Sequence, residues 1–138
     1  MISALGLDIG RKRIGVAGCD GLGLIATGLA TIQRRSFQQD VERLQQFVNE
    51  RRVQVLVVGL PYTMDGALGS QARQTQKFAR RLAHVLELPI EYVDERCTSI
   101  EAREMMMSDR QSPSANKGMI DRKAAAIILQ RWLDQRRT

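Results

Sequence analysis

An α/β fold on a five-stranded mixed sheet of order 3-2-1-4-5, its second strand antiparallel to the others, is predicted by this 138-residue sequence. Three observations predict it. Two short apolar runs open the chain, separated by the turn Gly10-Arg11-Lys12-Arg13, as in a hairpin. A near-continuous apolar run, Val53 to Val58, reads as a central strand covered on both faces. Helical and extended periods then alternate to the C-terminus, which places helices on the faces of a sheet. Right-handed crossovers carry the chain from the third strand past the first, and this sets the order.

Each element has its own signal. Ile2 to Asp8 is the first strand, and Ile14 to Gly18 the second. Leu24 to Ile32 carries the β-branched residues Ile25, Thr27, Thr31 and Ile32 and is read as a third strand, against the weakening effect of its glycines and alanines. Val41, Leu44, Phe47 and Val48 share one face at helical spacing. Gly59-Leu60-Pro61 ends the central strand, and a loop runs through Asp65-Gly66. Ala72, Thr75, Ala79, Leu82 and Leu86 trace a second helix, flanked by Phe78 and Val85. Ile90 to Asp94 is the fifth strand. Thr98 or Ser99 can cap a helix through Ile100, Ala102, Met105 and Met106, with Met105-Met106-Met107 read as core packing. A polar loop from Ser112 to Gly118 precedes a last helix from about Met119 to Trp132.

Composition bounds the function. The length fits one domain, residues 1–138, since domains run ~100–200 residues. A hydrophobic content of 43% supplies a core and argues against disorder. The formal charge of +6 fits a polyanionic partner or a solvated basic surface equally well. No apolar stretch approaches the ~20 residues that span a bilayer, and the first run is too short for a signal peptide, so a soluble cytoplasmic protein is expected. Cys19 and Cys97 are the only cysteines and form no Cys-x-x-Cys pair, so two buried reduced thiols are expected rather than zinc or a disulfide scaffold.

The chemistry points to three acids. Asp8 ends the first apolar run, Glu95 ends the last, and Asp121 opens the most hydrophobic helix. Ligands of open α/β sheets bind beyond the carboxyl ends of strands, near the point where strand order reverses. Asp8 and Glu95 fall there, and the small residues Ala124, Ala125 and Ala126 let the last helix bring Asp121 close. Converging carboxylates repel unless a cation lies between them, and Mg²⁺ or Mn²⁺ accepts such oxygens. Each acid also has a plainer role available: a turn former, a surface ion pair, a favourable helix start. Period-2 alternation separates Asp94 from Glu95; Glu95 is the expected ligand and Asp94 an orienting or capping neighbour.

Several motifs in register carry a resemblance. Leu7-Asp8-Ile9-Gly10 with Ile14-Gly15-Val16-Ala17, then Val58-Gly59-Leu60-Pro61 with Met64-Asp65-Gly66, are similar to the YqgF/RuvX proteins. Asp94-Glu95-Arg96 with Thr98 and Glu101-Ala102 continues the match, as does Asn116-Lys117-Gly118 with Asp121, Ala124-Ala125, Ile127 and Leu129. The resemblance covers nearly the whole chain. It implies a ribonuclease H-like fold related to the RuvC resolvases, with Asp8, Glu95 and Asp121 as the metal-binding acids. It implies an activity tied to Holliday junctions or to maturing the 5′ end of 16S ribosomal RNA. RuvC-type sites often add a fourth carboxylate one helical turn on; Lys123 and Ala124-Ala125 stand in that neighbourhood, so a fourth ligand is not evident.

Two metal ions ~3.5–4 Å apart can flank a scissile phosphate, so no His, Ser or Cys nucleophile is needed. His84, the one histidine, is expected to be a half-buried helix residue. Arg11, Lys12 and Arg13 after the first acid, Arg73 and Lys77 after the loop, and Arg96, Lys117 and Arg122 near the other acids are candidates for phosphate contacts. Aromatics are 4% of residues, with Tyr62 alone in a suitable loop, so base-specific single-strand readout is not supported.

The expected function is a divalent-metal endonuclease on structured RNA, pre-16S ribosomal RNA above all, acting free or on a ribosomal precursor particle. A resolvase of branched DNA is the first rival, and it would need a homodimer rather than a monomer. A non-catalytic basic RNA-binding module is the second. An actin-like ATPase or sugar kinase would need a second lobe and a phosphate-binding loop that this chain does not contain.

Overall fold

The computed structural model describes residues 2–61, 69–94 and 117–136. Five strands, β1 (Ala4–Ile9), β2 (Arg13–Cys19), β3 (Ala26–Gln33), β4 (Val55–Leu60) and β5 (Ile90–Asp94), form one sheet of order β3-β2-β1-β4-β5. β2 runs antiparallel to β1 and β3, while β4 is parallel to β1 and β5. This is the expected order and orientation. Among the described residues three helices flank the sheet: α1 (Phe37–Arg51), α2 (Ser70–Leu86) and α3 (Lys117–Arg136). None of them is long and apolar enough to cross a membrane.

Period-2 alternation divides the side chains between two cores. Leu5, Leu7, Ile9, Ile14, Val16, Leu56 and Val58 pack under α1 and α2 with Leu44, Val48 and Leu82. Ala4, Ala17, Val55, Val57 and Val93 pack under α3 with Ala125, Ile128, Leu129 and Trp132. β4 is buried at all six positions, as a central strand between two helical layers must be.

Several boundaries differ from expectation. β4 begins at Val55 and runs through Gly59 and Leu60, because Val53 belongs to the exit of α1, where its N–H donates to the Val48 carbonyl. β3 starts at Ala26 rather than Leu24, because the Asp20 carboxylate accepts the N–H groups of Leu24 and Ile25 at 2.7 and 3.0 Å and holds them in the turn. The last helix starts at Lys117 and includes Gly118, which places Asp121 in its second turn rather than at its opening. His84 is exposed, not half-buried, because it lies off the stripe of Ala79, Leu82, Ala83 and Leu86. Val85 is also 47% exposed. Cys19 is a buried free thiol, as expected. The expected helix through Met105 and Met106, Cys97 and the loop with Tyr62 lie outside the described residues.

Candidate metal and nucleic-acid site

α3 crosses β1, β2 and β3 closely because the sheet beneath it lacks side chains. A Cβ at Gly15 would run into the Asp121 carbonyl. Gly6 leaves room for Leu129 and Ala125 of α3, and Gly28 leaves room for Arg122. Strand glycines mark such approaches of another backbone. They were the signal available in the sequence, which the small residues Ala124 and Ala125 tell only from the helix side. Thr31 Oγ1 donates to the Gly118 carbonyl, and Gln130 bonds both the Ala26 N–H and the Leu24 carbonyl at 2.9 Å. α3 is therefore fastened to β3 near both ends.

Asp8 sits near the carboxyl end of β1, half-buried, and its ladder partner is Gly15. Alternation from Ala4 and Gly6 puts Asp8 on the α3 face. Asp121 lies over that same Gly15. Two of the three expected acids thus lie at one end and on one face of the sheet. Asp94 ends β5 on the opposite face, in step with Ile90 and Tyr92, and its carbonyl accepts from Arg131 Nη1 of α3 at 3.0 Å. Glu95 and Arg96 lie outside the described residues. Among the described residues no three His, Cys, Asp or Glu gather closely enough to hold a metal ion.

The Asp121 carboxylate has a cation already at hand. Arg13 Nε donates to its Oδ2 at 2.6 Å, with the two side chains 28% and 20% exposed. Such a charge-assisted bond fixes the carboxylate in one orientation. It arises from the hairpin: β2 runs backwards, so its first residue lies at the same end as Asp8.

The other expected cations are spread around this end. Arg11 and Lys12 are exposed at the β1–β2 turn, and Arg73 and Lys77 are exposed on α2, whose N-terminus carries no acid in its first turn. Arg122 is half-buried over β3. Lys117 begins α3, and its side chain lies outside the described residues. Sequence reasoning missed Asp40, which is 3% exposed and accepts from the Arg35 N–H at 3.2 Å. Its period among the polar residues of α1 offered no signal.

A hard divalent cation suits this donor set. Asp8 and Asp121 supply carboxylate oxygens only, on one side of a sheet end, with no competing thiol or imidazole on that face among the described residues near them.

Comparison with known proteins gives a consistent picture. The model of the RuvX family, described as Holliday junction resolvase, matches residues 2–135. A Trichormus variabilis protein carrying the name "Putative pre-16S rRNA nuclease" is 69% identical over 137 residues, covering 99% of this chain and 91% of that one. A Rippkaea orientalis protein of the same name is 68% identical over 136 residues, covering 99% and 98%. Among solved structures, Thermus thermophilus RuvC with a Holliday junction substrate aligns with a TM-score of 0.61 at 14% identity, over 99% of this chain and 96% of that one. The fowlpox virus resolvase with junction DNA aligns at 0.62 and 8%, over 99% and 100%. At such identities the likeness concerns the fold, which is ribonuclease H-like.

Proposed function

The chain belongs to the RuvX family, and from that premise we propose a divalent-metal endonuclease that trims the 5′ leader of pre-16S ribosomal RNA. Its class is that of a nuclease hydrolysing phosphodiester bonds. The observation that carries the site is the placement of Asp121 over Gly15, the ladder partner of Asp8. The relatives named for pre-16S ribosomal RNA, 69% and 68% identical, support the substrate.

In this reading Asp8, Glu95 and Asp121 hold the metal. Glu95 takes the second position because Asp94 is on the face away from Asp8. Bound Mg²⁺ or Mn²⁺ supplies an activated water and stabilises the leaving oxygen. The chain's own residues do the rest. β1 lies between β2 and β4, and Asp8 is held by its pairing with Gly15 of β2, one residue beyond the last β1–β4 pair, Leu7 with Val58. Arg13 orients Asp121 and moderates the repulsion between the two acids. Arg11, Lys12, Arg73, Lys77, Arg96, Lys117 and Arg122 supply sequence-blind attraction for phosphates.

The family description favours branched DNA as the second reading. One experiment separates the two. End-labelled pre-16S leader RNA and a four-way DNA junction are offered with Mg²⁺ or Mn²⁺ to wild type and Asp8→Asn. RNA cut by wild type alone is expected. Junction cut instead would transfer the reading to a resolvase. Binding of RNA without cleavage by either protein would replace it with a binding module.

A further inference from the structure

The paired acids lie on the α3 face, yet a concentration of positive charge lies on the other face at the same end of the sheet. Arg11, Arg34, Arg35 and Arg81 surround two adjoining cavities of about 130 Å³ and about 290 Å³, which share Arg11, Arg34 and Phe78. Asp40 is the one acid in their lining among the described residues, and it is 3% exposed and engaged by the Arg35 N–H.

Two of these guanidinium groups, those of Arg34 and Arg81, are held in place. Arg34 lies 4.2 Å over the Phe78 ring, donates from Nη1 to the Gly10 carbonyl at 2.7 Å, and faces Asp40 at 3.9 Å. Arg81 lies 3.8 Å over the Phe37 ring, and the two rings meet edge to face at 5.8 Å. A fixed guanidinium loses less freedom on binding an anion than a free one. The N-terminus of α1 opens here too, at Ser36 and Phe37, and its dipole favours negative charge. The rings are covered by cations, so the groove offers charge and N–H donors rather than platforms for bases.

We propose that this groove binds the phosphodiester backbone of the substrate where it leaves the acids and turns around the β1–β2 turn toward α1 and α2. Gly10, at the groove's rim, is two residues beyond Asp8, so one strand of nucleic acid can occupy both. Arg35 and Arg81 make the phosphate contacts, and Arg34 is the fixed floor that positions them. The inference rests on the nuclease reading and adds a path for the substrate.

The test is the salt dependence of binding, read by fluorescence anisotropy with labelled single-stranded RNA in the presence of Ca²⁺. Each lost phosphate contact lowers the log–log slope by ~0.7, so the Arg35→Gln/Arg81→Gln protein should lose about 1.4. The Arg35→Lys/Arg81→Lys protein, which keeps the charge, should retain most of the slope. A wild-type slope in the Gln protein would overturn the proposal. So would equal losses in the Gln and Lys proteins accompanied by equal falls in thermal stability, which would assign these arginines to packing alone. Asp8→Asn keeps the two readings apart. It should abolish cleavage; if it cuts RNA as wild type does, the site assignment fails while the slopes of the arginine variants still judge the groove.

Discussion

Arg13 and Asp121 are 108 positions apart in sequence and 2.6 Å apart in space. Their bond is partly exposed, so screening limits it to about 1 kcal/mol. Arg13→Ala should lower stability by about that amount, and so should Asp121→Asn, with the double mutant little worse than either. Urea unfolding of the four proteins measures this coupling. Asp20 makes a second prediction at this scale. Its carboxylate accepts from the Ile25 and Leu24 N–H groups, and these bonds lower its pKa below the usual 3.8. A carboxylate with a depressed folded value stabilises the fold fully above its unfolded value and loses that contribution as pH falls through the folded one. The amide resonances of Leu24 and Ile25 should therefore titrate with a midpoint below 3.8, and Asp20→Asn should erase the titration. The placement of Asp8 at a sheet end was legible because a carboxylate at the end of an apolar run stands out, and that of Asp121 because it lies near the head of an apolar helix. The Arg13 partnership was not, since nothing local in Arg11-Lys12-Arg13 says which cation faces a residue brought in by the last helix.

At the scale of elements, the seat of α3 is the decisive feature. Gly15→Ala places a methyl group against the Asp121 backbone, and a carbonyl in a helix cannot rotate away as a flexible side chain can. Overpacking of this kind costs about 1–3 kcal/mol. The helix must also shift, so cleavage should fall by more than the lost stability explains when measured where both proteins are folded. Gly21→Ala, with nothing within 4 Å of its added Cβ, is the neutral control. Periodicity predicted α1 and α2, since Leu44, Val48, Leu82 and Leu86 repeat as a buried helix face must, while the strands and α3 showed as apolar or β-branched runs. The ends were harder to read. α1 and α2 stop at Arg52 and Glu87, both left-handed at φ 51° and 58°, where sequence convention expects Gly or Asn. The following residues, Val53 and Leu88, close each cap by donating to Val48 and Ala83, and Leu88 packs against the core as it does so.

For the whole molecule, the sheet is a partition. One face carries the paired acids under α3, the other the arginine groove under α1 and α2, and the β1–β2 turn joins them at one end. The order of strands was legible because a leading meander followed by right-handed crossovers leaves few alternatives. The division of labour between the faces was not, because it depends on which of many arginines the folded backbone gathers. The long reach between Arg13 and Asp121 also has a consequence for the birth of the protein. A domain generally folds as a unit. The hairpin bearing Asp8 and Arg13 leaves the ribosome before α3, and Asp121 follows Arg13 by 108 positions. A nascent chain therefore carries Asp8 without Asp121 beside the very RNA-rich particle that makes it, and on the proposed assignment the site is completed only by the docking of the final helix.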